Sequence, residues 1–114
     1  SYRDWGHAKD YVKAMNLILK YKKPDDFVIA TGQSRSVGQM INYVFKKLNL
    51  SKNKHVKINQ KYFRPEELKY LRGDASKARK YLGWKPQYTF EMIMDEMIDF
   101  WLNFYEQNKN LKKY

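Results

Sequence analysis

The sequence predicts a mixed α/β fold, and three observations carry that reading. Three long stretches repeat apolar residues at three- and four-residue spacing, the signature of helices with one buried face. Residues 27–31 are almost continuously apolar, as in a strand covered on both faces. Residues 54–59 alternate, with Val56 and Ile58 on one side, as in a strand covered on one face. Two short strands make a poor sheet by themselves. The run at 27–31 therefore calls for neighbours that the chain barely supplies.

Taken in order, Asp4 is placed to cap a first helix over residues 6–21. Its face is Ala8, Tyr11, Val12, Met15, Ile18 and Leu19. Pro24 ends it, and Asp25 and Asp26 form a turn. After the apolar run and Gly32, Ser34 or Ser36 caps a second helix reaching about residue 50. Val37, Met40, Ile41, Val44, Phe45 and Leu48 form its buried side. Residues 60–65 are irregular, and 66–72 read as a helical turn followed by an extended piece. Asp74 or Ser76 caps a short helix over 77–82, closed by Gly83. Residues 84–86 are extended into Pro86. Thr89 then caps the last helix, 90–107, whose stripe runs Phe90, Ile93, Met94, Met97, Ile98, Trp101, Leu102 and Tyr105. The tail, 108–114, is polar and expected to fray.

Composition narrows the function classes. The 114 residues suit a single domain, and 43% hydrophobic with 17% aromatic content is enough for a core. No cysteine is present, which excludes a disulfide framework and a thiolate metal site. Two histidines make a structural zinc site a poor expectation. Zero cysteine is compatible with cytosol, and a cytoplasmic location is the expectation. No apolar run approaches the roughly 18 residues that span a bilayer, so no membrane partner is expected. The first residues read as a folded motif and not as a leader, so the chain is expected to be a segment of something longer.

The net charge of +11 suggests an anionic partner. Its source is mostly scattered lysine, however, and a solvated surface accounts for that as well as a docking patch does. Arginines are few: Arg3, Arg35, Arg64, Arg72 and Arg79. With so few, and no recognition motif, a basic nucleic-acid-binding module is the remote alternative, and no nucleic-acid partner is expected.

Motif searches exclude more than they find. A Gly-x-Gly-x-x-Gly phosphate loop is absent, so the sequence offers no cofactor-binding residue of the dinucleotide type. Gly-x-Ser-x-Gly is absent as well. Tyr43 and Lys47 form a Tyr-x-x-x-Lys pair one helical turn apart, but no partner serine or cofactor loop accompanies them, and the match reads as coincidence. His7 reads as a local hydrogen-bonder, and His55 as surface. Asp25–Asp26 and Asp95–Glu96 are adjacent pairs that point apart. No catalytic and no metal-ligating residue is predicted. The arginines say more. Arg64 precedes a stiffening Pro65, and Glu67 follows three residues on. A guanidinium fork matches phosphate oxygens in pairs, and a carboxylate suits vicinal hydroxyls, a sensible pairing for a nucleoside diphosphate. By spacing alone, an ordinary Arg64–Glu67 salt bridge explains the pair equally well.

Five blocks in order then resemble one family. RDWGHAKDYV at 3–12 closely resembles a segment of the GDP-mannose 4,6-dehydratases, and KPDDFVIATG at 23–32 their next segment. KYFRPEE at 61–67 looks like that family's aromatic-Arg-Pro-x-Glu signature. GDASKA at 73–78 and LGWKP at 82–86 resemble the shared end of the wider extended short-chain dehydrogenase/reductase class, which includes epimerases and other dehydratases and reductases. The resemblance implies a carboxyl-terminal substrate-binding lobe that lacks the Rossmann phosphate-binding half, with residues 1–32 packed on the missing cofactor domain. It implies Arg3 and Arg64 on the diphosphate of GDP-mannose and Glu67 on the ribose hydroxyls. The whole-enzyme reaction would be NADP-dependent: hydride leaves C4 of the mannose, water leaves across C5 and C6, and the hydride returns to C6. The implied parent is a homo-oligomer, dimer or tetramer, and the segment alone would be inactive. Two departures stand out. Gln33, Ser34 and Arg35 replace the family's usual run, and the stretch before Arg64 is short and offers few guanine contacts.

Overall fold

The computed structural model describes residues 1–109. Strand β1 (Tyr2–Asp4) leads into helix α1 (Ala8–Leu19). Strand β2 (Ser34–Ser36) leads into α2 (Val37–Lys47). A short α3 (Lys52–His55), a single 3-10 turn (Gln60–Tyr62), α4 (Ser76–Leu82) and α5 (Phe90–Gln107) follow. β1 and β2 pair antiparallel with Tyr2 opposite Ser36, Arg3 opposite Arg35 and Asp4 opposite Ser34. Tyr70 adds a parallel bridge to Tyr2 on the other side of β1, held by Tyr2 N–H to Lys69 O at 2.9 Å and Leu71 N–H to Tyr2 O at 3.2 Å.

The helices form where the apolar spacing places them, and their caps explain the boundaries. Ser36 and Gln39 make a reciprocal capping box on α2. The Thr89 hydroxyl accepts from Met92 N–H at the start of α5. Gly83 closes α4 with φ +63°, a left-handed conformation that glycine adopts without a Cβ penalty. Gly73 answers a different need: a Cβ there would come within 2.2 Å of the Ala30 Cβ.

Four expectations are corrected. Asp4 does not cap α1; residues 2–4 are a strand and the helix starts later, with the His7 Nδ1 accepting from Lys9 N–H at 3.0 Å. The apolar run 27–31 is extended but pairs with no strand. Phe27 and Ile29 face the core; on the other side Ala30 is buried while Val28 is 56% exposed, so that side is covered only in part. The strand expected at 54–59 is instead α3 followed by extended chain, because that stretch has no neighbouring strand to hydrogen-bond. Residues 66–72 form a turn and an extended piece without a helix. The pairing the chain does make, β1 with β2, involves polar three-residue strands that carry no apolar pattern. The expected fraying of the tail falls partly on residues 110–114, which lie outside the described residues.

The core is in two small pieces. Ala14, Ala75, Ala78 and Trp84 join α1 to α4, with Tyr11, Leu17, Phe27, Ile29 and Leu82 around them. Phe90, Ile93 and Met94 of α5 meet Trp5, Met40, Tyr43, Val44 and Tyr88. The overall extents are 52 × 38 × 23 Å with a radius of gyration of 17.9 Å. A compact domain of this length has a radius of about 13 Å. The chain is thus a thin slab, and it leaves Val12, Met15 and Leu19 of α1 on an open apolar face.

Candidate functional site

Two aspartates of the first motif block build the scaffold under the site. The Asp4 carboxylate accepts from the backbone N–H of Thr31 and Gly32 at 2.9 Å each and of Gly73 at 3.1 Å, and also from the Thr31 hydroxyl. It pins two segments, 31–32 and 73, distant from each other in sequence, beside β1. Asp10 is 1% exposed and accepts from Gln87 N–H at 3.0 Å and Tyr88 N–H at 3.1 Å, while its backbone carbonyl takes the Trp84 indole N–H at 2.8 Å. Asp10 thereby ties α1 to the loop that leads into α5 and joins the two core pieces. Its Oδ1 is buried with no partner among the described residues.

On this scaffold β1 projects Arg3 toward the loop after residue 62. Arg3 Nη1 donates to Tyr2 O and Leu68 O, each at 2.8 Å, and Nη2 meets Glu67 Oε1 at 3.1 Å. The Ser1 hydroxyl donates to the same Glu67 oxygen at 2.8 Å. The Ser1 hydrogen bond holds the Glu67 carboxyl below its usual value, with the Arg3 and Arg64 guanidiniums adding to the effect and desolvation opposing it. Both bonds fall on Oε1, which leaves Oε2 open to a further donor.

Of the three residues singled out in the sequence, Arg3 and Glu67 are in direct contact. Arg64 is exposed on the same loop and acts on Glu67 through its charge, without an ion pair. The salt bridge that spacing allowed between Arg64 and Glu67 is therefore made by Arg3 instead. Arg3 and Glu67 meet beside β1, Arg64 lies three residues before Glu67, and every other member of the cluster is a backbone carbonyl or a hydroxyl. Such a cluster can bind an anion and hydroxyls; it holds no proton-transfer pair.

Two nearby features escaped the sequence reading. Arg35 faces Arg3 across the strand pair, a register that short polar strands do not announce. His7 places Nε2 2.7 Å from Glu96 Oε2 and stacks on Tyr88 at 4.0 Å, so it joins α1 to α5 as well as capping α1. The Tyr43–Lys47 pair is engaged elsewhere. Tyr43 Oη donates to Asp95 Oδ1 at 2.7 Å and Lys47 Nζ lies 3.4 Å from the same oxygen, which fastens α2 to α5. That hydrogen bond pushes the Tyr43 phenol up to about 12. Among the described residues no group of three acidic, histidine or cysteine side chains could hold a metal, and no helix is long and apolar enough to cross a membrane.

Residues 1–97 match the family model described as GDP-mannose 4,6 dehydratase. The chain belongs to the GDP-mannose 4,6-dehydratase family. A GDP-mannose 4,6 dehydratase of Arabidopsis thaliana is 48% identical over 97 residues, 85% of this chain and 27% of the relative. The Homo sapiens enzyme of that name is 41% identical over 113 aligned residues, 84% of this chain and 30% of the relative. The chain thus spans about a quarter to a third of the length of such relatives. Among solved structures, a dTDP-glucose 4,6-dehydratase of Bacillus anthracis in complex with NAD superposes with a TM-score of 0.80 at 20% identity, over 98% of this chain and 34% of that one. A UDP-glucose 4-epimerase of Thermotoga maritima with UDP-glucose gives 0.76 at 21% identity, over 90% of this chain and 32% of that one. The fold is that of the corresponding part of these enzymes.

Proposed function

We propose that this segment is the substrate-binding part of a GDP-mannose 4,6-dehydratase, converting GDP-mannose to GDP-4-keto-6-deoxy-mannose and water. The observation that supports this most is the Arg3–Glu67 contact, which unites the two motif blocks most particular to the family in one anion- and hydroxyl-binding cluster. Arg3 and Arg64 would neutralise the diphosphate, and the open Oε2 of Glu67 would accept from a ribose hydroxyl. Arg3 needs no rearrangement for this: its bonds to two carbonyls aim the guanidinium before substrate arrives.

The reaction class implies NADP, whose nicotinamide would take and return the hydride. The residues here do not fit that cofactor. The glycines are isolated along the chain, and the two with left-handed backbone, Gly32 and Gly83, lie in a loop bend and a helix cap. This segment's work is therefore confined to gripping substrate. Residues 1–32 would pack, through the apolar side of α1 and Val28, on the cofactor domain, in keeping with the exposure of Val12, Met15 and Leu19. The whole enzyme is proposed to be cytoplasmic and a homo-oligomer.

The deciding experiment is thermal stabilisation and competition by GDP, UDP and dTDP in the full-length enzyme. Preference for GDP is expected. A clear preference for UDP would overturn the dehydratase reading in favour of an epimerase.

A further inference from the structure

Arg3 and Arg35 are register partners in the antiparallel pair, so their side chains leave the same face of the sheet with Cβ atoms about 5 Å apart. Like charges placed directly opposite destabilise a strand pair, and these strands are only three residues long. Each guanidinium has its own carboxylate, Glu67 for Arg3 and Glu91 for Arg35. The two are not held alike. Arg3 makes three bonds of 2.8 to 3.1 Å. Arg35 reaches Glu91 only at 3.9 Å and the Ser34 carbonyl at 3.4 Å, with Phe90 beneath it at 5.6 Å. Its side chain is 32% exposed, nearly the same as Arg3 at 31%. It lines a cleft of about 140 Å³ whose wall is part polar, with Thr31, Gln33 and Gln87, and part apolar, with Trp5, Pro86 and Phe90. A loosely paired guanidinium facing a fixed one, beside a partly polar cleft, is suited to clamp an anion with two phosphoryl groups.

We propose that Arg35 is a further substrate-positioning residue, a second guanidinium that swings from Glu91 onto the diphosphate held by Arg3. The inference rests on the nucleotide-sugar reading above. It assigns Glu91 a role too: an internal counter-ion that neutralises Arg35 until substrate displaces it. In the empty site Glu67 and Glu91 offset the cross-strand repulsion, and the bound diphosphate takes over that role for Arg35.

The test uses the full-length enzyme with GDP and guanosine as probes, followed by calorimetry. Arg35→Gln is expected to weaken GDP about tenfold and leave guanosine, which lacks phosphate, unchanged. KM for the nucleotide sugar should rise with kcat held within about twofold, because binding and not chemistry is altered. Arg35→Lys should restore part of the affinity, and Glu91→Gln, which frees Arg35, should tighten GDP. The melting temperature of each variant reports folding. If Arg35→Gln binds GDP as wild type does while Arg3→Gln does not, the role of Arg35 is wrong and the site reading stands. If neither substitution weakens GDP, the site reading itself falls. If guanosine weakens in parallel with GDP, Arg35 acts on the fold and not on phosphate, and the proposal is overturned.

Discussion

Arg3 and Asp10 lie seven positions apart in one motif block, and they end in opposite environments. Asp10 is buried, receives two backbone N–H groups and sits between the two core pieces. Arg3 is half-open, and its partners are carbonyls and one exposed carboxylate. Resemblance along the whole block therefore mixes two kinds of constraint. Asp4, His7 and Asp10 tie distant loops to the sheet and helix. Arg3 stands on what they hold and faces outward. Changes on the first side should show in stability, and changes on the second in binding.

The largest expected effect is on the scaffold side. Trp84 is 3% exposed in the core between α1 and α4, and its indole N–H is bonded to the Asp10 carbonyl. Trp84→Ala should cost about 3–5 kcal/mol in urea unfolding. Asp10→Ala should follow at about 2–4 kcal/mol, since it leaves two backbone N–H groups without their acceptor. A loss below about 1 kcal/mol would show that water replaces the carboxylate, and the contrast with Arg3 would weaken. On the binding side, Arg64→Ala in the full-length enzyme should lower kcat/KM by about 2–4 kcal/mol with the unfolding midpoint unmoved, since Arg64 is exposed and outside both core pieces. Unchanged activity would remove Arg64 from the site.

How much of this was legible in the sequence follows from what each part depends on. The helices α1, α2, α4 and α5 and the caps Ser36, Gly83 and Thr89 are local, written in spacing and cap residues, and the structure has them close to where they were expected. The strands are not local. Tyr2–Asp4 and Ser34–Ser36 are polar and short, so nothing in either announces the other. The apolar run 27–31 misled, because apolarity reports burial and does not supply a hydrogen-bonding neighbour. Arg3 and Glu67 were found through motif blocks; their contact bridges more than sixty positions and no spacing rule reaches it. Arg35 was noticed only as a departure, since its place opposite Arg3 is set by register.

The smallest expected effects are the titrations, and they probe the same contrast. The Tyr43 phenol, pushed up to about 12 by its bond to Asp95, is a fastening between α2 and α5. A raised value means that the folded state keeps its proton longer than the unfolded chain does. The contribution is then complete below the ordinary tyrosine value of 10.0 and is lost as pH rises toward 12. Tyr43→Phe should remove the latest component of the tyrosinate absorbance titration and leave GDP binding untouched. Glu67 has the opposite sign. Its depressed value means that the Ser1 and Arg3 contacts favour the ionised form, so they are intact above the ordinary carboxylate value of 4.5 and fade as pH falls through the lower folded value. Glu67→Gln should therefore flatten the acid limb of nucleotide affinity while leaving the unfolding midpoint nearly unmoved, since the pair is exposed. If the unfolding midpoint shifted as much as in Asp10→Ala, Glu67 would belong to the scaffold, and the division drawn between the two ends of the motif block would have to be redrawn with the loop after residue 62 on the structural side.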